Sequence, residues 1–268
     1  MRKKRADGRA ASEIPAYRRM MPYLMRSRSE SVVFFEQEID MTAASSFIAA
    51  FNRKQEVPIT PFHVVMWGCV QTLAAFPKLN RFIAGGRIYD RDGIWISYSA
   101  KKAMTESAPI VVVKRRFDPA ETFAAMVAGM QEELTRSRAP EESYTDKELG
   151  LVLKAQGLPL RALMALERAA DAFGLLPRSY IERDPMFASL FVANLGSLKM
   201  DAAFHHLYEY GSISIFCVVG RMRERDGGPS LTLRFTYDER IEDGFYANRA
   251  LTHMKELLEE LPLGRVGA

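Results

Sequence analysis

Phe235-Thr236-Tyr237-Asp238-Glu239-Arg240-Ile241-Glu242-Asp243-Gly244 compresses a strand end, a charged turn and a helix start into ten residues. The run leading into it, Ser230 to Tyr237, alternates apolar and polar side chains, the period of a strand with one buried face. Asp243 is the short carboxylate that caps a helix start, and Phe245 to Leu261 follows with helical spacing.

Working outward, Ser212 to Gly220 reads as a buried strand and Gly227-Gly228-Pro229 as the turn before Ser230. Phe187 to Asn194 is a strand followed by Leu195-Gly196. Ile14 to Met25 has mixed helical spacing, with Pro22 set to end or bend it. Ser31 to Ile39 is rich in strand formers, and Asp40 looks like the cap of a helix over 43–51. Thr60 caps a second helix with Pro61 at its first position, ended by Pro77 and Asn80. Gly85-Gly86 read as turn glycines, and residues 87–98 as a hairpin turning at Asp90-Arg91-Asp92-Gly93. Pro109 to Val113 is a buried strand, and Asp118-Pro119 starts a helix to about Arg136. Residues 137–146 read as a loop and 147–173 as a helix interrupted at Gly157-Leu158-Pro159. The expectation is one α+β domain, a mixed sheet flanked by helices, with the weakest pattern over 137–185.

The 268 residues are 48% apolar and 26% charged, which excludes a disordered, collagen-like or coiled-coil chain. No apolar run is long enough to span a membrane, and no apolar segment follows the basic start as in a secretory signal. Cys69 and Cys217 each sit in an apolar segment, as buried thiols in a reducing cytoplasm would. No metal site is expected, since CxxC and HExxH are absent. Nine of the 37 Lys/Arg and three of the 33 Asp/Glu fall within residues 1–30. Residues 1–13 are therefore expected to be a basic flexible tail before a near-neutral body over 14–268. No nucleic-acid motif accompanies it, and no nucleic-acid partner is expected.

The segment Asp238 to Gly244 resembles the Asp-His-Arg-x-x-Asp-Gly signature of the acyltransferase component of 2-oxoacid dehydrogenase complexes, and the related His-x-x-x-Asp-Gly of chloramphenicol acetyltransferase. Arg18-Arg19 before the strand Ser31 to Asp40, Phe76-Pro77-Lys78-Leu79-Asn80, Pro109 to Val113 and Phe191-Val192-Ala193-Asn194-Leu195-Gly196 resemble further segments of the same family. Together they cover roughly residues 14–262, with a poor match over 137–185. The resemblance implies a chloramphenicol-acetyltransferase-like fold and a homotrimer with an interfacial channel. It also implies acyl transfer from a thioester such as acyl-coenzyme A or a lipoyl-protein partner. In that chemistry the motif histidine is the general base, a serine or threonine hydroxyl holds the oxyanion, and the following aspartate, here Asp243, pairs with an N-terminal arginine, here Arg18 or Arg19. Arg240 and Gly244 complete the structural motif.

This chain departs at both reactive positions, with Glu239 at the histidine position and Ala193 at the serine position. An unperturbed glutamate, near pKa 4.3, is a much weaker base at neutral pH than an imidazole near 6.5. An alanine side chain donates no hydrogen bond to an oxyanion. Three readings follow. The first is a pseudoenzyme kept for binding or scaffolding. The second is an active acyltransferase with Glu239 as base and Asn194 or backbone donors for the oxyanion. The third is a shifted alignment in which His205 or His206 serves, against the plainer reading of that pair as packing. Lys101-Lys102 and Lys114-Arg115-Arg116 either meet the phosphates of coenzyme A or are solvated surface charge. The upstream lipoyl and subunit-binding modules usual in the family have no counterpart before residue 14, so no covalent lipoyl group is expected.

Overall fold

The computed structural model describes residues 4–55, 57–101, 110–138, 157–225 and 227–261. Its frame is a six-stranded mixed sheet of β2 (Val32–Asp40), β9 (Gly228–Asp238), β8 (Ile215–Arg225), β7 (Leu190–Asn194), β5 (Ile94–Lys101) and β6 (Ile110–Phe117), in that order. β7 runs parallel to both neighbours, and every other pairing is antiparallel. A second sheet has the order β1 (Gly8–Ala10), β4 (Arg87–Arg91), β3 (Arg81–Ala84). The helices are α1 (Ala16–Leu24), α2 (Thr42–Asn52), α3 (Pro61–Ala75), α4 (Phe123–Arg138), α5 (Leu158–Ala172), α6 (Arg178–Arg183) and α7 (Gly244–Glu260).

The two-residue period of the strands sorts the core. Leu190, Val192, Cys217, Val219, Leu233 and Phe235 face the main core, which α2, α3, α4 and α7 complete. Phe191, Phe216 and Val218 face the other way, under Ala202, Leu207 and Ile213 of the segment before β8. Phe191 and Phe216 stack at 4.8 Å. Because β7 and β8 bury both faces, they read as continuous apolar runs rather than alternating ones. Both cysteines are free and buried.

Several local signals act as expected. Thr60 and His63 form a reciprocal capping box at α3, with Pro61 in its first turn. Asp243 accepts the Tyr246 N–H at 2.9 Å and caps α7. Gly85 and Gly86, both at positive φ, turn β3 into β4. Gly196 follows β7 because a Cβ there would lie 2.4 Å from the Gly220 carbonyl oxygen.

Other expectations are corrected. The tail is part of the fold from Lys4 on. β1 pairs with β4, and the buried Arg5 guanidinium binds the Asp7 carboxylate and both the backbone and side chain of Asp171 on α5. Residues 87–98 are not a hairpin: β4 and β5 part at Asp92-Gly93 and enter different sheets. Asp40 ends β2 and accepts the Thr42 N–H, while Met41 occupies the cap position of α2. α4 starts at Phe123, because the Asp118 carboxylate holds the preceding turn through the Ala120 N–H. Pro22 is inside α1, which runs two residues beyond it. Gly157, at positive φ, occupies the cap position at the start of α5. The loop expected over 137–146 lies outside the described residues beyond Arg138, as do 147–156.

Gly196→Ala should lower stability by about 1–3 kcal/mol, since the new methyl meets backbone rather than a yielding side chain. A thermal melt beside a Gln131→Ala control, an exposed position on α4, checks it.

Candidate functional site

β9 ends on Asp238, which is completely buried. Arg240 grips it from two residues away, Nε to Oδ1 at 2.8 Å and Nη2 to Oδ2 at 2.7 Å. The Ser31 hydroxyl and the Arg240 N–H also donate to Oδ1. Arg240 Nη1 donates to the Met25 carbonyl just past α1, at 3.0 Å. One ion pair thus joins the end of β9, the start of β2 and the exit of α1.

Glu239 sits at the crest of this turn. Its N–H donates to the Ser31 carbonyl at 2.9 Å, and its own carbonyl accepts Arg18 Nη2 at 3.0 Å. Its half-buried carboxylate makes no hydrogen bond or ion pair among the described residues. The neighbouring Tyr237 phenol is pushed up to about 12, by burial first and then by the Glu239 charge.

Arg18 does not pair with Asp243. Its Nε lies 3.7 Å from Glu242 Oε1, whereas the Asp243 carboxylate is committed to capping α7. Glu242 also takes Arg81 Nη1 at 2.8 Å and lies 3.6 Å from Lys78 Nζ. This three-cation hub was missed from sequence. Its signal was present, in that Glu242 lies between motif residues and Lys78 and Arg81 flank the Leu79-Asn80 segment. Arg19 is exposed, while Gly244 begins α7 with open space where a Cβ would stand.

Ala193 and Asn194 lie on β7, three strands over from β2. The Asn194 side-chain oxygen accepts the Ser197 N–H and its carbonyl accepts the Ser197 hydroxyl, fixing the turn into Leu195-Gly196. Ala193 is opposite Val218, and Val218 opposite Arg234. Ala193 is therefore level with Arg234, about 16 Å along β9 and about 10 Å across the sheet from Glu239. One protomer does not bring Glu239 together with Ala193 or Asn194.

The histidine pair packs. His205 stacks on Phe216 at 3.9 Å and on His206 at 4.5 Å, and burial holds its pKa below the ordinary imidazole value. Neither ring has a carboxylate partner among the described residues. The expected surface cations are mostly engaged. Lys114 Nζ donates to the Ile181 and Asp184 carbonyls at the end of α6, and both Arg115 guanidinium ends bind Glu121. Arg116 is exposed; Lys102 and the side chain of Lys101 lie outside the described residues. No group of His, Cys, Asp and Glu among the described residues could hold a metal ion, and none of their helices is long and apolar enough to cross a membrane.

Two outcomes follow. Arg240→Met should destabilise by about 3–5 kcal/mol, because it strands the buried Asp238 charge. Chemical denaturation measures it, and Asp238→Asn combined with Arg240→Met should recover part of the loss. Lys114 has its pKa lowered to about 7, chiefly by burial. The unfolded chain holds the extra proton between that value and the ordinary 10.5, so stability should rise as pH climbs from 7 towards 10. Denaturation midpoints at pH 7 and pH 9 should show that rise, and Lys114→Met should flatten it.

No family model and no curated protein sequence matches the chain. Solved structures do. Dihydrolipoamide acetyltransferase of Azotobacter vinelandii superposes with a TM-score of 0.60 at 18% identity, over 94% of this chain and 93% of that one. A probable dihydrolipoamide acetyltransferase from Listeria monocytogenes 4b F2365 gives 0.59 at 16% identity, over 94% and 95%. A chloramphenicol acetyltransferase gives 0.57 at 14% identity, over 91% and 96%. The chain therefore has the chloramphenicol-acetyltransferase-like fold of the catalytic cores of 2-oxoacid dehydrogenase acyltransferases.

Proposed function

We propose that this chain forms a cytoplasmic homotrimer that keeps the acyltransferase fold for binding or scaffolding and has lost ordinary acyl transfer. The observation that carries the reading is the pair of replacements in an otherwise ordered frame. Asp238, Arg240 and Asp243 hold the motif turn, yet the position it presents carries Glu239, and Ala193 stands where a hydroxyl would serve. The Azotobacter structure addresses a serine, a histidine and an asparagine in that enzyme's catalytic mechanism. Transferred by the motif to this chain, the serine and the histidine are absent. Loss of one oxyanion donor costs on the order of 10²–10³ in rate, and loss of a general base roughly 10²–10⁴.

The wide separation of Glu239 from Ala193 within one protomer supports an interfacial arrangement, in which one copy supplies the β9 turn and another the β7 end. The cubic core of the pyruvate dehydrogenase complex, of the same fold at a TM-score of 0.61, is itself an assembly. The partner class that suits this reading is a lipoyl protein or an acyl-coenzyme A thioester, bound without turnover.

A second reading has one observation in its favour. The Glu239 carboxylate is uncommitted, and so is the Asn194 amide nitrogen among the described residues. An active coenzyme A-dependent acyltransferase would use the first as base and the second as oxyanion donor.

The test is a panel of acyl-coenzyme A donors with a thiol indicator, alongside light scattering for mass. The scaffold reading expects a trimer whose thiol release equals that of Glu239→Gln. Turnover that Glu239→Gln abolishes would establish the second reading instead. A monomer at micromolar concentration would remove the interfacial arrangement from both.

A further inference from the structure

Between α1 and the β3–β4 hairpin lies a pocket of about 320 Å³, within the range of small-molecule sites. Its lining combines two arginines, Arg19 and Arg87, with the ring of Tyr23 and the apolar side chains of Ile14 and Ile88. Nearby arginines are bonded to protein oxygens: Arg5 to Asp7, Arg18 to Glu239, Arg81 to Glu242, Arg91 to Ser212. The guanidinium groups of Arg19 and Arg87 make no hydrogen bond or ion pair among the described residues. No carboxylate of the described residues lines the pocket; the nearest in sequence is exposed Glu13, beside Ile14.

Tyr23, 62% exposed, lies beside the hairpin turn. Gly86 has φ +74°, and a Cβ on it would lie 3.3 Å from the Tyr23 ring. The turn therefore presses close to the aromatic wall with no side chain intervening. The pocket offers two uncompensated planar cations, a placed aromatic face and an apolar lining. Two guanidinium forks match a phosphate dianion, at about −1.5 to −2, better than a carboxylate at −1.

We propose that this pocket binds a small aromatic phosphate, its phosphate between Arg19 and Arg87 and its ring against Tyr23, Ile14 and Ile88. The site is independent of the β9 turn and of any acyl transfer there.

Isothermal titration of the full chain with phenyl phosphate, adenosine monophosphate, benzoate and inorganic phosphate tests it. One saturable site for phenyl phosphate or adenosine monophosphate is expected, weakened about tenfold by Arg19→Ala or Arg87→Ala and several-fold by Tyr23→Ala. Arg161→Ala, an exposed arginine on α5, should change nothing. Benzoate and inorganic phosphate should each bind at least about tenfold more weakly than phenyl phosphate. Both arginines are exposed, so the variants should melt like the parent; Arg19→Gln and Arg87→Gln serve if an alanine variant does not. No saturable binding of either aromatic phosphate at millimolar concentration would overturn the proposal. So would binding indifferent to both arginines, or inorganic phosphate or benzoate binding as tightly as phenyl phosphate.

Discussion

The Asp238–Arg240 ion pair holds the corner of the molecule on which the candidate site depends. A buried carboxylate is tolerated when its lone pairs are met, and here two guanidinium nitrogens, a serine hydroxyl and a backbone N–H meet them. The same guanidinium reaches the backbone beyond α1. Two residues thus tie three chain segments that are distant in sequence. Residue 239, between them, contributes its backbone to the frame and leaves its side chain out of it. The side chain at 239 can therefore vary without disturbing the frame.

The sheet sets the distance between Glu239 and Ala193. Residues on β7 and β9 are separated by β8, and the register offsets Glu239 from Ala193 by five residues along the strands. No side-chain motion spans that gap. Within one protomer, a small ligand held at the β9 turn therefore does not reach Ala193.

Much of this was readable from residues. Asp243 as a helix cap, Thr60-Pro61 as a helix start and Gly85-Gly86 as a turn are local rules, each satisfied within a few residues of chain. The strand–turn–helix of the motif follows from local patterning in the same way. What escaped depends on contacts between distant segments. The basic N-terminus looked like a tail because its charge is visible in sequence and its partner, Asp171 on α5, is not adjacent to it. The false hairpin over 87–98 had a sound turn signal; the strands diverge because β4 has β1 and β3 to pair with and β5 has β6 and β7. Arg18 was assigned to Asp243 by resemblance, and nothing in the spacing distinguished that carboxylate from Glu242.

The choice Arg18 makes has a physical reason. The Asp243 side chain is short and lies at a helix start, where the Tyr246 N–H claims it. Glu242 has one more methylene and points to the other side of the turn, where Arg18, Arg81 and Lys78 converge. A buried carboxylate among three cations is held more firmly than a surface pair, since each cation limits its motion and little water competes. The hub binds α1 and the start of β3 to the turn, and Arg18 also donates from Nη2 to the Glu239 carbonyl. The backbone at residue 239 is positioned by Ser31 from one side and Arg18 from the other, whatever side chain it bears. A fold anchored in this way depends at residue 239 on the backbone and not on the side chain.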